Sequence, residues 1–260
     1  MPYLNFENSK IYYNIKGTGK PILLLHGFLE NSTMWSDYAK TLCSSYQVIL
    51  IDLPGHGKTE NLASHSMDKM AEAVLSVLDF LKIEKLKIIG HSMGGYVALA
   101  LADLRSEIIE DILLFFSSAA ADTLEKSENR DRLKAIVTKD KEGFMRHAIP
   151  MLFTKETRQT LATELEQVIQ DAQELRTEGI VKTLEGLKTR PDRQHILKTD
   201  IPISFVSGKL DEAITLESLK TQHSERAIKK VWLTENGHMG HIEDRDFCLQ
   251  AIQEFIENDA

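Results

Sequence analysis

The amino-acid sequence predicts an α/β fold built on a doubly wound, mostly parallel sheet. Short, continuous apolar runs recur along the chain and are bounded by turn residues, which is typical of parallel strands buried on both faces. Segments with apolar residues at helical spacing separate these runs. Strands that alternate with helices in this way indicate a doubly wound sheet with a helical layer on each face.

Six apolar runs are the candidate strands of the parallel sheet. They occupy residues 22–25, 48–51, 86–89, 112–116, 203–206 and 231–233. Two earlier runs, residues 3–6 and 11–15, instead alternate polar and apolar side chains, as a strand with one solvated face does. We therefore expect these two runs to form an antiparallel hairpin at one edge of the sheet.

Three segments outside the strands have the pattern of core helices. Residues 67–81 place apolar side chains three and four positions apart, and residues 93–104 are apolar on nearly every side. Residues 244–257 carry a single apolar stripe. The first two segments are long enough to serve as crossover helices between parallel strands.

The stretch from residue 121 to residue 199 interrupts this alternation. It contains no convincing buried strand and is instead charge-rich with helical periodicity. The sequence therefore predicts a core formed by residues 1–120 and 200–260, and a helical cap formed by residues 121–199. Such an insertion is expected to lie over the ligand crevice of an α/β enzyme. Its apolar residues 151–153 either line a pocket or pack the cap onto the core, and the sequence leaves both open.

Composition limits the function classes. The 260 residues include 31 basic and 39 acidic side chains, a net charge of −8, which argues against binding to nucleic acid or to an anionic membrane. No apolar run approaches the roughly 20 residues of a membrane span, and the first residues do not resemble a secretory signal. Cys43 and Cys248 are therefore expected to be reduced thiols of a cytoplasmic protein. The oligomeric state stays undetermined.

Residues 90–94 read Gly-His-Ser-Met-Gly and match the pattern G-x-S-x-G. They lie directly after a predicted strand and before a predicted helix, which is the context of a nucleophile elbow. A sharp turn of this kind strains the serine backbone, and the glycines leave room for the strand and the helix to converge. Ser92 is therefore the candidate nucleophile, at a helix N-terminus whose dipole favours negative charge.

A second candidate motif, His-Gly-Phe at residues 26–28, ends the first parallel strand. An oxyanion hole in this architecture combines the N–H of the residue after the nucleophile with one from a strand–helix loop. Met93 and Phe28 are the candidate donors. His26 is expected to hold the loop by hydrogen bonds rather than to take part in catalysis.

Five motifs in chain order resemble the α/β-hydrolase superfamily, in particular its serine carboxylesterase and enol-lactonase branch. They are His-Gly-Phe at 26–28, Asp-Leu-Pro-Gly-His-Gly at 52–57, Gly-His-Ser-Met-Gly-Gly at 90–95, Gly-Lys-Leu-Asp at 208–211 and Gly-His-Met-Gly-His-Ile-Glu at 237–243. The resemblance covers nearly everything outside residues 121–199. It implies a catalytic triad in the order Ser92, Asp211 and His238. A serine nucleophile disfavours the dehalogenase and epoxide-hydrolase branches, which use aspartate there.

The residues themselves support these partners. Asp211 follows a predicted strand and a glycine turn, so it lies at the same sheet edge as Ser92 and is placed to orient a histidine. It would also stabilise a helix starting near residue 214. Asp122, just after another strand, is the alternative acid. His238 follows the last strand and would act as general base.

No cofactor and no metal ion are expected. His238 and His241 form a His-x-x-His pair, but no third ligand of suitable spacing is evident. The resemblance selects His238 as the base, and His241 is then a helix-start residue beside Glu243 or a supporting contact. The predicted partner is a small ester-like substrate.

The expected function is cleavage of a carboxylic ester or a related acyl bond through an acyl-enzyme. A lactonase, a carbon–carbon bond hydrolase or a cofactor-free perhydrolase would use the same triad. A ligand-sensing binding protein with slow turnover on the same fold is the alternative from a different class.

Overall fold

The computed structural model describes residues 2–257, and these form one eight-stranded sheet. The strands are β1 (Tyr3–Phe6), β2 (Ser9–Lys16), β3 (Lys20–Leu25), β4 (Tyr46–Ile51), β5 (Leu86–His91), β6 (Ile109–Phe115), β7 (Ile203–Gly208) and β8 (Ile228–Thr234). Their order across the sheet is β1-β2-β4-β3-β5-β6-β7-β8. Strands β3 to β8 pair in parallel, whereas β1 and β2 pair antiparallel at one edge. The predicted fold class and the predicted edge hairpin are both confirmed.

Helices cover both faces of the sheet. The described helices are α1 (Ser36–Leu42), α2 (Met67–Phe80), α3 (Met93–Leu104), α4 (Leu124–Lys139), α5 (Lys141–Ala148), α6 (Thr157–Thr160), α7 (Ala162–Gln173), α8 (Thr177–Lys188), α9 (Leu216–Leu219), α10 (Gly240–Glu243) and α11 (Arg245–Glu257). Helices α2 and α3 pack on one face, and α1 and α11 on the other. The three core helices predicted from periodicity correspond to α2, α3 and α11.

The strands of the parallel sheet are apolar on both sides because both faces are covered. In β3, Leu23 and Leu25 belong to the core under α2 and α3, whereas Ile22 and Leu24 belong to the core under α1 and α11. Successive side chains of a strand point to opposite faces, so a continuous apolar run supplies both cores at once.

Several strands extend past the apolar runs that predicted them. Strand β5 continues through Gly90 and His91, which pair with Leu114 and Phe115 of β6. Ladder pairing requires backbone groups rather than apolar side chains. Apolar runs therefore locate the buried centre of a strand, and the pairing with its neighbours sets its ends.

The order of strands places a switch point between β3 and β5. From β3 the chain continues to β4 on one side, and β5 then returns to the other side of β3. In open α/β sheets the ligand crevice lies beyond the carboxyl ends of the strands at such a point. The loops that follow β3 and β5, which carry Phe28 and Ser92, are therefore neighbours.

Between β6 and β7 the chain is helical throughout its regular elements, α4 to α8 and two short 3₁₀ turns. These helices share an apolar cluster that includes Phe144, Ile149 and Ile180, and Leu29 and Met239 of the core loops join it. We propose that residues 121–199 form the predicted cap over the predicted core of residues 1–120 and 200–260, of which residue 1 and residues 258–260 lie outside the described part of the chain.

Two further observations concern membranes and thiols. Among the described residues, none of the helices has the length and apolar character needed to cross a membrane. Cys43 and Cys248 are both free thiols. Cys248 of α11 is buried in the core, and burial raises the pKa of its thiol above its usual range.

Candidate active site

Ser92 occupies a strained turn between β5 and α3. Its backbone has φ 49° and ψ −111°, a positive φ that non-glycine residues rarely adopt. The Ser92 N–H donates to Phe115 O at 3.0 Å, and the Ser117 hydroxyl donates to Ser92 O at 2.7 Å. These bonds hold the turn in a conformation that costs about 1–3 kcal/mol.

Close backbone approach explains the two glycines of the motif. A Cβ atom on Gly90 would lie 2.5 Å from the backbone of Gly94, and one on Gly94 would lie 2.5 Å from Leu25 O. Helix α3 therefore starts against the ends of β3 and β5 only because both positions lack a side chain. This contact projects the Ser92 side chain beyond the sheet.

The three predicted triad residues lie within hydrogen-bond distance in series. His238 Nε2 lies 2.9 Å from Ser92 Oγ, and His238 Nδ1 lies 2.8 Å from Asp211 Oδ2. Asp211 and His238 are both buried. With its Nδ1 proton donated to the carboxylate, the imidazole presents the Nε2 lone pair to the serine hydroxyl.

Asp211 makes both kinds of hydrogen bond expected from the sequence: those of an acid that orients a histidine and those of a residue that stabilises the following backbone. Its Oδ1 accepts the N–H groups of Ala213 and Ile214, each at 2.8 Å, while Oδ2 faces His238. The following helix, α9, begins at Leu216 instead of near residue 214, because the Thr215 hydroxyl caps it. The carboxylate therefore stabilises a local turn and holds the histidine with separate oxygens.

The alternative acid, Asp122, is not brought to His238. Its carboxylate pairs with Arg190 Nη1 at 2.7 Å and with Arg130 Nε at 3.1 Å. Both oxygens are thus engaged by guanidinium groups of the cap. The tertiary structure selects Asp211 over Asp122 as the partner of the histidine.

The backbone N–H groups of the two candidate oxyanion donors are not hydrogen-bonded within the described part of the chain. Within residues 2–257, neither the Phe28 N–H nor the Met93 N–H has a hydrogen-bond acceptor. Both residues line the same cavity as Ser92 and His238. The Met93 amide also opens α3, whose dipole favours a negative charge at this end.

His26 holds the loop that carries Phe28, as predicted. Its Nε2 accepts the Leu53 N–H at 2.8 Å, and its Nδ1 donates to Gly27 O at 2.8 Å. Burial lowers the pKa of His26, and a neutral ring is what an accepting Nε2 requires. The loop after β3 is thereby tied to the loop after β4.

The cavity above Ser92 has a volume of about 530 Å³ and lies between core and cap. Its apolar lining includes Phe28, Tyr96, Leu133 and Phe144. Of residues 151–153, Met151 and Leu152 line the cavity, whereas Phe153 is buried in the apolar cluster of the cap. Two of these three residues therefore line the pocket, and the third packs the cap, so both alternatives left open by the sequence occur.

The His-x-x-His pair does not converge on one point. His238 faces Ser92, whereas the His241 Nε2 lies 3.2 Å from Glu30 Oε1. Glu30, His91 and His241 form a buried cluster. Sequence reasoning missed Glu30 and His91 as members of this site, although His91 is the variable residue before the nucleophile and Glu30 follows Phe28 by two positions.

Comparisons with known proteins extend these observations. A family model described as the alpha/beta hydrolase fold matches residues 20–244. The dihydrolipoyllysine-residue acetyltransferase component of an acetoin cleaving system from Pseudomonas putida is 28% identical over 92% of this chain. The chain spans only 64% of that relative's length. A putative 2-succinyl-6-hydroxy-2,4-cyclohexadiene-1-carboxylate synthase from Bacillus subtilis is 29% identical, over 90% of this chain and 89% of that protein.

Among solved structures, a thermophilic esterase from Thermogutta terrifontis superimposes with a TM-score of 0.90 at 27% identity. The match covers 98% of this chain and 96% of the esterase. The family model spans strands β3 to β8, which is more than half of the chain. The chain therefore belongs to the α/β hydrolase fold family.

Proposed function

We propose that the protein is a serine hydrolase that cleaves a carboxylic ester, or a related acyl bond, of a small substrate. The observation that carries this proposal is the hydrogen-bonded series from Ser92 Oγ through His238 to Asp211. At Ser92 the series opens into a cavity that Phe28 and Met93 also line, and their backbone amides have no hydrogen-bond acceptor among residues 2–257. A nucleophile, a base, an orienting acid and an oxyanion site are together what acyl transfer requires.

In the first half-reaction Ser92 Oγ attacks the substrate carbonyl carbon while its proton passes to His238 Nε2. The carbonyl oxygen becomes an oxyanion, and the N–H groups of Phe28 and Met93 stabilise it. When the tetrahedral intermediate collapses, the proton on Nε2 moves to the leaving alcohol oxygen. The product of this step is an ester between the acyl group and Ser92.

In the second half-reaction a water molecule gives a proton to His238 Nε2 and attacks the acyl carbon. A second oxyanion forms in the same site, and its collapse returns the proton to Ser92 Oγ. The carboxylic acid then leaves. Asp211 stays ionised throughout and stabilises the imidazolium that forms in each half-reaction.

Ester cleavage is proposed first because the thermophilic esterase is similar to this chain over nearly the whole of both proteins. The same groups would open a lactone, where the leaving hydroxyl stays attached to the product. They would also act on a carbon–carbon bond. A protein that binds a ligand and turns it over slowly is the remaining alternative.

A fluorophosphonate probe, which reacts with activated serines, tests the proposal. We expect stoichiometric labelling of the wild-type protein, loss of labelling in Ser92→Ala, and unchanged labelling in the control Ser44→Ala, an exposed serine. A panel of p-nitrophenyl esters and lactones then assigns the bond. Labelling with turnover of lactones alone would make the protein a lactonase. A folded wild-type protein that neither labels nor turns over any ester would overturn the proposal.

A further inference from the structure

Three buried titratable side chains form a cluster beside the triad and have no part in the mechanism above. Glu30, His91 and His241 are 8%, 2% and 3% exposed. Glu30 Oε2 lies 2.7 Å from His91 Nδ1, and Glu30 Oε1 lies 3.2 Å from His241 Nε2. Buried charged groups are rare without a purpose or a partner, so the arrangement of this cluster calls for an explanation.

The hydrogen bonds determine where the protons lie. His91 Nδ1 faces the carboxylate, and His91 Nε2 lies 3.2 Å from the backbone oxygen of His238, which can only accept. A ring with an acceptor at each nitrogen carries both protons and is an imidazolium. Glu30 also accepts the Gly27 N–H at 2.8 Å, so three donors surround an ionised carboxylate.

The electrostatics agree with this assignment. Burial acts to lower the pKa of His91, but the charge and hydrogen bond of Glu30 outweigh it and raise that pKa. Burial likewise acts to raise the pKa of Glu30, and His91 and His241 hold it well below its usual range. His241 has a lowered pKa, chiefly through burial, and is the neutral member of the cluster.

The cluster connects the three loops that build the active site. Glu30 holds the N–H of Gly27, the residue before the oxyanion donor Phe28. His91 directly precedes Ser92 and holds the backbone oxygen of His238. A change in the Glu30–His91 contact would therefore shift the oxyanion amide, the nucleophile and the base relative to one another.

We propose that Glu30 and His91 form a buried, charged positioning pair that holds the Phe28 amide, the Ser92 hydroxyl and the His238 ring in the relative positions that acyl transfer requires. This inference rests on the serine mechanism proposed above. Charge-assisted hydrogen bonds are about twice as strong as neutral ones, and separating a buried ion pair leaves two uncompensated charges. Loop arrangements that would pull the pair apart are therefore disfavoured.

A metal ion shared by Glu30, His91 and His241 is the competing interpretation of the same residues. Two ligands bonded to one tetrahedral zinc ion at about 2.0–2.1 Å lie roughly 3.3 Å apart. The 2.7 Å separation of Glu30 Oε2 and His91 Nδ1 is instead the length of a hydrogen bond between charged groups. The geometry fits a proton between these atoms.

Nuclear magnetic resonance of the wild-type protein labelled with ¹⁵N-histidine tests the charge without any mutation. At pH 7, above the ordinary pKa of a histidine, we expect one histidine ring, absent from the spectrum of His91→Gln, to carry protons on both nitrogens. A His91 ring with a single ring proton at pH 7 would overturn the proposal. Stoichiometric zinc or another transition metal in the purified protein, lost in His91→Gln, would overturn it in favour of the metal site.

Kinetics of Glu30→Gln test the positioning role. We expect kcat for a p-nitrophenyl ester to fall about 10- to 100-fold, the effect of small misplacements of catalytic groups, with KM changed less than about threefold. Glu110→Gln, an exposed glutamate at the amino end of β6, is the matched control and should retain wild-type kinetics. Wild-type kcat in folded Glu30→Gln, or a change in KM alone, would contradict the positioning role.

The double variant Glu30→Gln/His91→Gln separates positioning from folding. Because removing both charges leaves no unpaired buried ion, its unfolding free energy should exceed that of Glu30→Gln alone, while kcat stays low. If the stability loss of the double variant equals the sum of the losses of the two single variants, the two residues do not form a coupled pair. If the wild-type protein hydrolyses nothing, the serine mechanism fails, and the resonance experiment still decides the charge of His91.

Discussion

At the residue scale, Asp211 gives one carboxylate two separable tasks. Oδ1 accepts two backbone N–H groups of the following turn, and Oδ2 holds Nδ1 of His238. An asparagine side chain keeps an oxygen for the turn but replaces the second oxygen by an N–H donor. The orientation of the histidine can therefore be tested without removing the turn.

We expect Asp211→Asn to lower kcat by roughly 10⁴-fold with little change in thermal stability. The amide N–H would face His238 Nδ1, so the ring would carry its proton on Nε2 and could not accept one from Ser92. Ester hydrolysis and thermal unfolding measure the two effects. Asp200→Asn, on an exposed carboxylate, is the control. A loss below tenfold in Asp211→Asn would argue that another acid orients His238.

Residue identity was the part of the site most open to prediction. The G-x-S-x-G pattern indicates Ser92, and the resemblance to the α/β hydrolases, with its order serine, aspartate, histidine, implies Asp211 and His238. The resemblance favours Asp211 over Asp122, although both acids follow strands of the same sheet. In three dimensions Arg190 and Arg130 engage Asp122.

At the element scale, helix α8 of the cap approaches the core as closely as backbone atoms allow. A Cβ on Gly186 would lie 1.9 Å from His65 O, and one on Gly179 would lie 2.9 Å from Gly55 O. His65 Nδ1 also lies 3.0 Å from the Thr183 hydroxyl of α8. The helix thus packs on the loop after β4 through its glycines and through the buried His65–Thr183 hydrogen bond.

We expect Gly186→Ala to destabilise the protein by about 1–3 kcal/mol, because the new methyl group overlaps backbone that cannot move aside cheaply. Urea unfolding measures the loss. Glu178→Ala on the exposed face of the same helix is the control, and it should cost less stability than Gly186→Ala because it removes only a surface ion pair. Equal stability of Gly186→Ala and the wild-type protein would mean that α8 shifts freely on the core.

At the scale of the whole molecule, the candidate site belongs to core and cap together. The His238 N–H donates to Leu152 O of the cap at 3.0 Å. Glu243 accepts the N–H of Thr154 at 2.8 Å and that of Gly237 at 3.1 Å. The segment that bears His238 is therefore hydrogen-bonded directly to the segment that lines the cavity.

The cap residue Met151 should influence which acyl groups the cavity accepts. We expect Met151→Trp to lower kcat/KM for long-chain p-nitrophenyl esters more than for the acetate, because the larger side chain occupies part of the cavity of about 530 Å³. Met151→Leu, which nearly conserves volume, should leave the profile unchanged. An identical chain-length profile in Met151→Trp would place the acyl group elsewhere.

Buried histidines should make the whole protein less stable in acid. The pKa is lowered, chiefly by burial, for His26, His56, His65, His223 and His241. For His65 it is lowered to about 4. Below about pH 6.5 the unfolded chain binds protons at these positions that the folded chain does not, so stability falls as the pH falls. His91 has the opposite sign: its contribution is complete below about pH 6.5 and is lost as the pH rises through its raised pKa.

We expect the free energy of unfolding in urea to decrease by at least about 1.4 kcal/mol between pH 6 and pH 5, the effect of one such proton. His65→Asn should reduce the dependence of stability on pH, because the unfolded chain then has one histidine fewer to protonate as the pH falls. Measurements at pH 5, 6 and 7 give this dependence. A stability that does not change between pH 7 and pH 5 would show that these rings are solvated in the folded state.

The sequence by itself predicted the buried strands, the three core helices and the tight turn at Ser92, whereas the order serine, aspartate, histidine rested on the family resemblance. The strands, helices and turn are local features, since strand burial, helical period and the glycines around Ser92 act within a few residues. Strand ends were less predictable, because β5 continues through Gly90 and His91 by pairing with β6.

Only the tertiary structure showed that the predicted Asp211, and not Asp122, contacts His238, which cap residues face the cavity, and that Glu30 lies beside His91. Glu30 and His91 are 61 positions apart in the chain, and His91 contacts the backbone oxygen of His238, which is 147 positions away. No periodicity marks such contacts, because they arise where the ends of separate strands come together at the sheet edge. The charge on His91 depends on that meeting, since its two acceptors come from different loops.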